Sequence, residues 1–220
     1  MRIVGRPISL QWGCAVAIAA VLLMLSAQRA DCADSPAAPG FGRHVVPLLS
    51  KLGCNGGGCH GAVQEKNGFR LSLFGADPHA DYAQLAIGAA GRRINPLEVE
   101  KSLFLLKATA QVPHEGGKRI EVKSAEHELL LRWLAGGARR DERAQFLVKQ
   151  LKVSPAEQVV EPGKSYRLRV EATFDDGSTE EVTAISSFES RHRSVVTVTA
   201  DGIVTAAGVG DAAIDRKSVV

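Results

Sequence analysis

The residues best placed to do chemistry lie together in one glycine-rich segment, Gly53 to Gly61. Cys54 and Cys59 are separated by four residues, and His60 follows directly. In the common haem attachment motif, C-x-x-C-H, each thiol adds across a haem vinyl group and the adjacent histidine ligates the iron. The spacing here predicts a widened form of that motif, with haem attached to Cys54 and Cys59 and with His60 as the proximal iron ligand.

Three other interpretations of the cysteine pair compete with haem attachment. A Cys54–Cys59 disulfide is chemically easy in an oxidising compartment, but it leaves His60 without a role. Zinc would need a fourth ligand and a more usual ligand spacing. A thioredoxin-like pair would need two residues between the cysteines and a βαβ setting, and the sequence has neither. For the haem interpretation, the glycines at positions 56–58 are expected to give the longer insert its backbone freedom.

Two helices are predicted to position this loop. The first covers Gly42 to Leu52, directly before the cysteines, because its apolar residues fall on overlapping turns. The second covers Ser124 to Ala135, with a helix-start signal at Ser124 and with glycines at 136 and 137 to end it. Its apolar face has helical spacing, so we expect Trp133 to be a core residue. The residues of that face are Leu129, Leu130, Trp133 and Leu134.

Further motifs follow the cysteine loop in a defined order. They are Asn67–Gly75 (NGFRLSLFG), Gly91–Pro96 (GRRINP), Ser102–Lys107, Val112–Gly117 and the tryptophan of the last helix. This order resembles the cytochrome c-like domain found near the start of large exported planctomycete-type proteins, over roughly residues 42 to 140. The resemblance implies a small all-α domain with one covalently attached haem c, which serves in electron transfer to a redox partner that the sequence does not identify.

The sixth iron ligand is harder to assign than the fifth. Met1 and Met24 are the only methionines and lie in the expected leader, so methionine is excluded as a ligand within the mature chain. The remaining candidates are His44, His79, His114 and His127. His114 is favoured because the resemblance brings a distal ligand from the loop before the last helix. The alternatives are that His114 is a solvated loop histidine and that the iron is five-coordinate or water-bound. Two histidine ligands predict a fairly low reduction potential.

The charge pattern excludes some functions and suggests others. A net charge of +3, spread without a basic stripe, argues against nucleic-acid binding. Arg92 and Arg93 are either partners of the haem propionates or ordinary residues of a solvated turn. Asp77, Asp81 and Glu65 are predicted to be surface carboxylates. No catalytic arrangement of serine, histidine and carboxylate is evident, so an electron carrier is favoured over an enzyme.

The start of the chain indicates export. Arg2 and Arg6 precede an apolar run from Gly13 to Leu25, and small residues follow up to Ala33. This predicts a signal peptide over residues 1–33, because the run is shorter than the roughly 20 residues that span a bilayer. A retained anchor is the alternative. Residues 34–41 are predicted to be a linker, and the location is predicted to be the periplasm or the cell surface.

The chain changes character after the charged stretch Arg139–Arg143. Short β-type segments follow, with hairpin signals at Asp175–Ser178 and at Asp201–Gly202. The predicted strands are Val148–Val153, Val159–Val160, Tyr166–Ala172, Val195–Val198 and Ile203–Ala206. The order of strands and turns resembles the bacterial immunoglobulin-like group 2 domain over about residues 147 to 214. The resemblance implies a spacer or adhesion module whose partners are cell-surface or envelope components.

The sequence therefore predicts a multidomain protein, in which a small all-α cytochrome c-like domain precedes an incomplete all-β immunoglobulin-like sandwich. The alternative function is a non-redox structural or adhesion protein closed by a Cys54–Cys59 disulfide. The last six residues, Asp215–Val220, correspond codon by codon to a common sequencing adapter followed by a stop. We therefore expect these residues to be adapter read-through and the gene to continue.

Overall fold

A computed structural model describes residues 38–61 and 65–217. The expected signal peptide and the first part of the expected linker lie outside the described residues, as do residues 218–220 of the expected read-through. All described residues belong to one compact unit, in which helices precede strands. Within those residues, no helix has both the length and the apolar character needed to cross a membrane.

Helices and helical turns make up the first part of the described chain. The helices are α1 (Val46–Lys51), α2 (Pro78–Tyr82), α3 (Leu103–Ala108), α4 (Ala125–Ala135) and α5 (Arg143–Phe146). Wide π-type turns occupy Phe41–Val45 and Ala83–Ile87. Tight 3-10 turns occupy Leu73–Gly75, Ala89–Gly91 and Val99–Lys101. The helical prediction for this part is confirmed.

The first predicted helix begins one residue early and has two parts. Phe41, expected at the end of the linker, instead starts the π-type turn and is fully buried. The Asp141 carboxylate accepts hydrogen bonds from the N–H groups of Gly42 and Arg43, both 3.0 Å long. These bonds satisfy two of the amide donors that a helix start leaves unpaired. A long-range contact therefore fixes a helix start that the local sequence does not mark.

The closing helix, α4, confirms its prediction. The Ser124 hydroxyl accepts a hydrogen bond from the His127 N–H at 3.3 Å, which is the expected N-cap contact. Trp133 is 1% exposed, lies with its ring centroid 5.5 Å from that of Phe41, and donates from Nε1 to the Arg139 carbonyl. Burying an aromatic ring of this kind stabilises the fold by about 1.5–3 kcal/mol. Trp133 is a core residue, as predicted.

One of the three carboxylates predicted to be at the surface is buried. Asp81 is 2% exposed, and its Oδ2 accepts a hydrogen bond from the Ser72 hydroxyl at 2.8 Å. Its Oδ1 accepts the Ser72 N–H at 2.5 Å. A buried carboxylate requires such donors because an unpaired one would be costly. Asp81 therefore ties α2 to the chain before it.

The second part of the chain forms antiparallel sheets. Its strands are β1 (Val148–Ser154), β2 (Ser165–Arg167), β3 (Arg169–Phe174), β4 (Thr179–Glu181), β5 (Ser187–Ser190), β6 (Val196–Val198), β7 (Ile203–Ala206) and β8 (Ile214–Lys217). They pair in the orders β1-β3-β4, β2-β7-β6 and β5-β8. Both predicted hairpins are confirmed, since β3 pairs with β4 and β6 pairs with β7.

Two strand predictions were wrong. The segment Tyr166–Ala172 is not one strand but parts of two, because the chain changes sheets at Leu168. Leu168 lies between the two strands, and its N–H donates to the Gly202 carbonyl. Val159 and Val160 lie outside the strands, and Val159 is 97% exposed. Strand β8 includes Asp215 and Arg216, whose origin in adapter sequence stays a prediction.

Candidate functional site

The cysteine loop is a closed turn that begins where α1 ends. The Cys54 N–H donates to the Leu49 carbonyl of the helix at 2.8 Å. The His60 N–H donates back to the Cys54 carbonyl at 2.9 Å, and the Leu71 N–H donates to the His60 carbonyl at 2.7 Å. These bonds bring the end of the loop back to its beginning. Cys54, Cys59 and His60 therefore lie on the same side of the loop.

The glycines that this loop needs are not the three that were predicted. Residues 56–58 have no positive φ, whereas Gly53 has φ of +75° and lies between α1 and Cys54. At Gly61, a Cβ atom would lie 2.0 Å from the Asn55 carbonyl oxygen. Gly53 therefore allows the turn out of the helix, and Gly61 allows the loop to close.

A cavity of about 1100 Å³ opens beside the loop. Ligand pockets commonly measure about 300–1000 Å³, so this one has room for a large ligand. It brings together the residues that the sequence favoured for haem chemistry, which come from three separate segments. Those residues are Cys54, Cys59, His60, Arg92, Arg93 and His114.

The histidine candidates separate clearly in the structure. All six histidines of the chain lie in described segments, and only His60 and His114 line the cavity. His44 instead contacts Glu180 at 2.9 Å, and His79 packs against Phe146. His127 is buried without lining the cavity. This placement is consistent with His114 as the candidate sixth ligand.

His60 and His114 face each other with nearly parallel rings. Their ring centroids lie 6.3 Å apart, with an interplanar angle of 12°. His60 uses Nδ1 to donate to the Phe69 carbonyl at 3.3 Å, and His114 uses Nδ1 to donate to the Gly117 carbonyl at 2.8 Å. Because a carbonyl only accepts, Nδ1 carries a proton in both rings, so in the neutral form each Nε2 keeps a free lone pair. Metal-binding histidines are commonly oriented in this way.

The electrostatics of His60 favour the form that can bind a metal. Burial lowers the pKa of its imidazole below the ordinary value, and the nearby His114 and Lys66 add to that effect, while the hydrogen bond to the Phe69 carbonyl opposes it. The ring is therefore neutral at neutral pH. A neutral imidazole is the species that ligates iron or zinc.

The two thiols have different surroundings. Burial raises the pKa of the Cys54 thiol to about 11, although the positive charge of Arg119 works in the opposite direction. Arg119 also donates from Nη2 towards the Cys59 sulfur at 3.7 Å. Both cysteines are free in the structure. A raised pKa disfavours the thiolate that disulfide exchange and zinc binding both require.

Apolar side chains that the sequence analysis did not single out form most of the cavity wall. Helix α3 supplies residues at positions i, i+1, i+4 and i+5, which share one helical face. That spacing is a local signal that could have revealed part of the wall. The apolar wall residues include Leu49, Phe69, Leu71, Leu85, Leu103 and Phe104.

Cations outnumber carboxylates around the cavity. Its lining includes five side chains of lysine or arginine and one carboxylate, Glu115. Arg93 is 6% exposed and donates to the carbonyls of Gln84 at 2.8 Å and Gly68 at 2.7 Å, so it is neither solvated nor free. The Arg92 side chain is exposed and has no hydrogen-bond or ion-pair partner in the described residues. An apolar cavity with a positive rim suits a large ligand that has an apolar body and acidic groups at its edge.

A classical zinc site is not evident. Across residues 38–61 and 65–217, no group of three or more histidine, cysteine, aspartate or glutamate residues could hold a metal ion. Structural zinc takes four such ligands. An iron already held in a macrocycle needs only one or two axial ligands from the protein, as in the haem ligation types known in proteins.

Comparison with known families identifies the second part of the chain. Residues 147–216 match the bacterial Ig-like domain (group 2). The β-strand region is therefore an Ig-like domain, as the sequence predicted. No curated protein matches the chain.

Proposed function

We propose that the helical part is a covalent haem module that carries electrons, and that the Ig-like domain joins it to the envelope or surface of an exported protein. The convergence of Cys54, Cys59, His60 and His114 on one large cavity carries this proposal. The sequence motif accounts only for Cys54, Cys59 and His60, which are close together in the chain. His114 is 54 positions beyond His60 and lies opposite it in the folded chain.

The residues present fit a haem group. Two thiols and an imidazole come from one loop, and the cavity wall is mainly apolar, which suits a porphyrin. The imidazoles of His60 and His114 both line this cavity, with ring centroids 6.3 Å apart. Arg92 is the better partner for a propionate, because both Nη atoms of Arg93 already bind backbone carbonyls.

Haem, when bound, supplies the reversible one-electron chemistry of its iron. The chain contributes binding, orientation and exclusion of water. Cys54 and Cys59 would hold the macrocycle edge, and each S–H would add across one vinyl group, so that sulfur bonds to one vinyl carbon and hydrogen to the other. His60 and His114 would offer imidazole nitrogens to the iron, and Leu85 and Phe104 would keep water from the site.

Export is part of the proposal. Ig-like domains of this group occur in exported bacterial proteins. The formation of haem thioethers also requires that the cysteine thiols reach a compartment that has a haem attachment system. A location in the periplasm or at the cell surface would satisfy both conditions.

The proposal is tested with the full chain, expressed with its own leader in a bacterium that has a cytochrome c maturation system. We expect a haem-stained band on a denaturing gel and a c-type reduced spectrum. Replacing both cysteines, C54A with C59A, should abolish the stain without loss of the protein band. R140A, which replaces an exposed arginine that does not line the cavity, is a control for processing.

The alternative is a structural or adhesion protein with a Cys54–Cys59 disulfide. It predicts no stain, and two thiols that become reactive only after reduction. The Ig-like domain is compatible with both functions. The stain and the thiol count therefore separate them in a single preparation.

A further inference from the structure

One side of α1 and the turn before it contact the Ig-like domain through a charged cluster. Arg43 donates from Nε to the Glu180 carboxylate at 2.8 Å and from Nη1 to the Ser178 hydroxyl at 3.0 Å. Its guanidinium lies 3.7 Å from the centroid of the Phe174 ring. Only 15% of the Arg43 side chain is exposed, so these contacts are largely shielded from solvent. Planar stacking and a hydrogen-bonded ion pair make Arg43 a specific contact.

Glu180 receives a second donor from the same turn. His44 contacts its other carboxylate oxygen from Nε2 at 2.9 Å. The Nδ1 atom of His44 accepts the Gly40 N–H at 2.9 Å, so the ring proton lies on Nε2 and is donated to Glu180. Both carboxylate oxygens of Glu180 are therefore bound by the helical part.

Two more contacts extend the interface along α1. Lys51, at the end of the helix, donates to the Ala184 carbonyl at 2.6 Å. Ile185 packs against the core of the helical part and also against the core of the Ig-like domain. The interface thus has an apolar contact as well as a charged cluster.

The opposite side of α1 belongs to the cavity. Leu49 lines the cavity, and Leu48 is fully buried in the helical core. Helix α1 has six residues, and isolated helices shorter than about 12 residues are marginal in water, so it depends on contacts from both sides. Only Leu52 and Gly53 separate it from Cys54, whose N–H is bonded to Leu49.

We propose that Arg43 and Glu180 are positioning residues for the cavity, which hold α1, and through α1 the Cys54 thiol, in place from the Ig-like domain. The Ig-like domain is then a fixed support of the site and not a detached spacer. The haem readout below rests on the proposed function, whereas the exchange readout does not.

The experiment compares E180Q with E181Q in the full exported chain. Glu181 is the next residue of the same strand, and its ion pair is with the exposed Arg169. Amide hydrogen exchange is followed over residues 46–54 by mass spectrometry. We expect E180Q to raise exchange in this segment roughly three- to tenfold, the range for weakening a partly shielded pair of contacts. E181Q should leave exchange there unchanged.

A second variant, R43K, keeps the positive charge but loses the stacked guanidinium, and it should raise the same exchange. In the haem-loaded chain, E180Q should shift the reduction midpoint while E181Q coincides with the wild type. Equal exchange in E180Q and E181Q would overturn the inference, whatever the haem content. Faster exchange in E180Q, with no haem in the wild type, would support the inference and reject the proposed function.

Discussion

Arg93→Ala tests the most heavily bonded side chain of the cavity wall. The guanidinium binds the carbonyls of Gln84 and Gly68 and lies 4.7 Å from the centroid of the Phe69 ring. Hydrogen bonds to a charged group contribute about 1.5–3 kcal/mol each, and a cation–π contact adds about 0.5–2 kcal/mol. Because solvent can reach part of the vacated site, we expect the lower end of the sum, a loss of about 3–4 kcal/mol in the free energy of unfolding.

The measurement is urea unfolding of the chain prepared without haem, followed by circular dichroism, so that the contact proposed between Arg92 and a propionate does not contribute. Arg92→Ala is the matched control, because Arg92 is the next residue and its side chain is exposed, with no hydrogen-bond or ion-pair partner in the described residues. It should change the free energy of unfolding by less than about 0.5 kcal/mol. Arg93→Lys should be intermediate, because an ammonium does not reproduce the planar fork. Equal effects of R93A and R92A would refute a structural role for Arg93.

Three further predictions address a helix cap, a carboxylate and a thiol. Ser124→Ala removes the N-cap acceptor of α4 and should lower the free energy of unfolding by about 1 kcal/mol in the same urea assay, and no change would show that the cap is dispensable. The hydrogen bond from His44 lowers the pKa of Glu180 below its usual 4.5, so its stabilising effect is present above that pH and is lost as the pH falls through the lowered pKa. E180Q should therefore show a flatter loss of stability in acid than the wild type, and parallel acid titrations would contradict this. In C59S, burial should keep the pKa of the Cys54 thiol above its ordinary value, although the electrostatic effect of Cys59 is lost, so this thiol should react with iodoacetamide at pH 8 at least about tenfold more slowly than an ordinary cysteine, whereas an ordinary rate would show that the thiol is not shielded.

Local sequence signals predicted the elements whose ends are marked by their own cap or turn residues. Helix α4 has an N-cap serine, an apolar stripe and terminal glycines, and it formed as expected. The β3–β4 hairpin has an Asp-Gly turn between alternating strands, and it also formed. In these elements, the hydrogen bonds that end or turn the chain are made by residues a few positions away.

Long-range contacts decided what local patterns missed. Phe41 looked like a linker residue because its partners, Trp133 among them, are distant in the sequence. The alternation from Tyr166 to Ala172 is continuous, so it did not reveal that Leu168 moves the chain from one sheet to another. Arg93 resembled a solvated arginine because its acceptors are backbone carbonyls, which the sequence does not display.

The candidate site was predictable only in part, for the same reason. Cys54, Cys59 and His60 are adjacent in the chain and form a motif. The position of His114 opposite His60 depends on how α3 and the following loop fold back. The Arg43–Glu180 contact joins residues 137 positions apart, so no local sequence pattern could have predicted it.

The intact mass of the exported full chain, measured under denaturing conditions, tests the central claim most directly. We predict a population whose mass exceeds that of the chain by one haem, and we predict that C54A with C59A lacks it. A wild-type chain with no added haem, and with a mass two hydrogens lower from a Cys54–Cys59 disulfide, would contradict the claim.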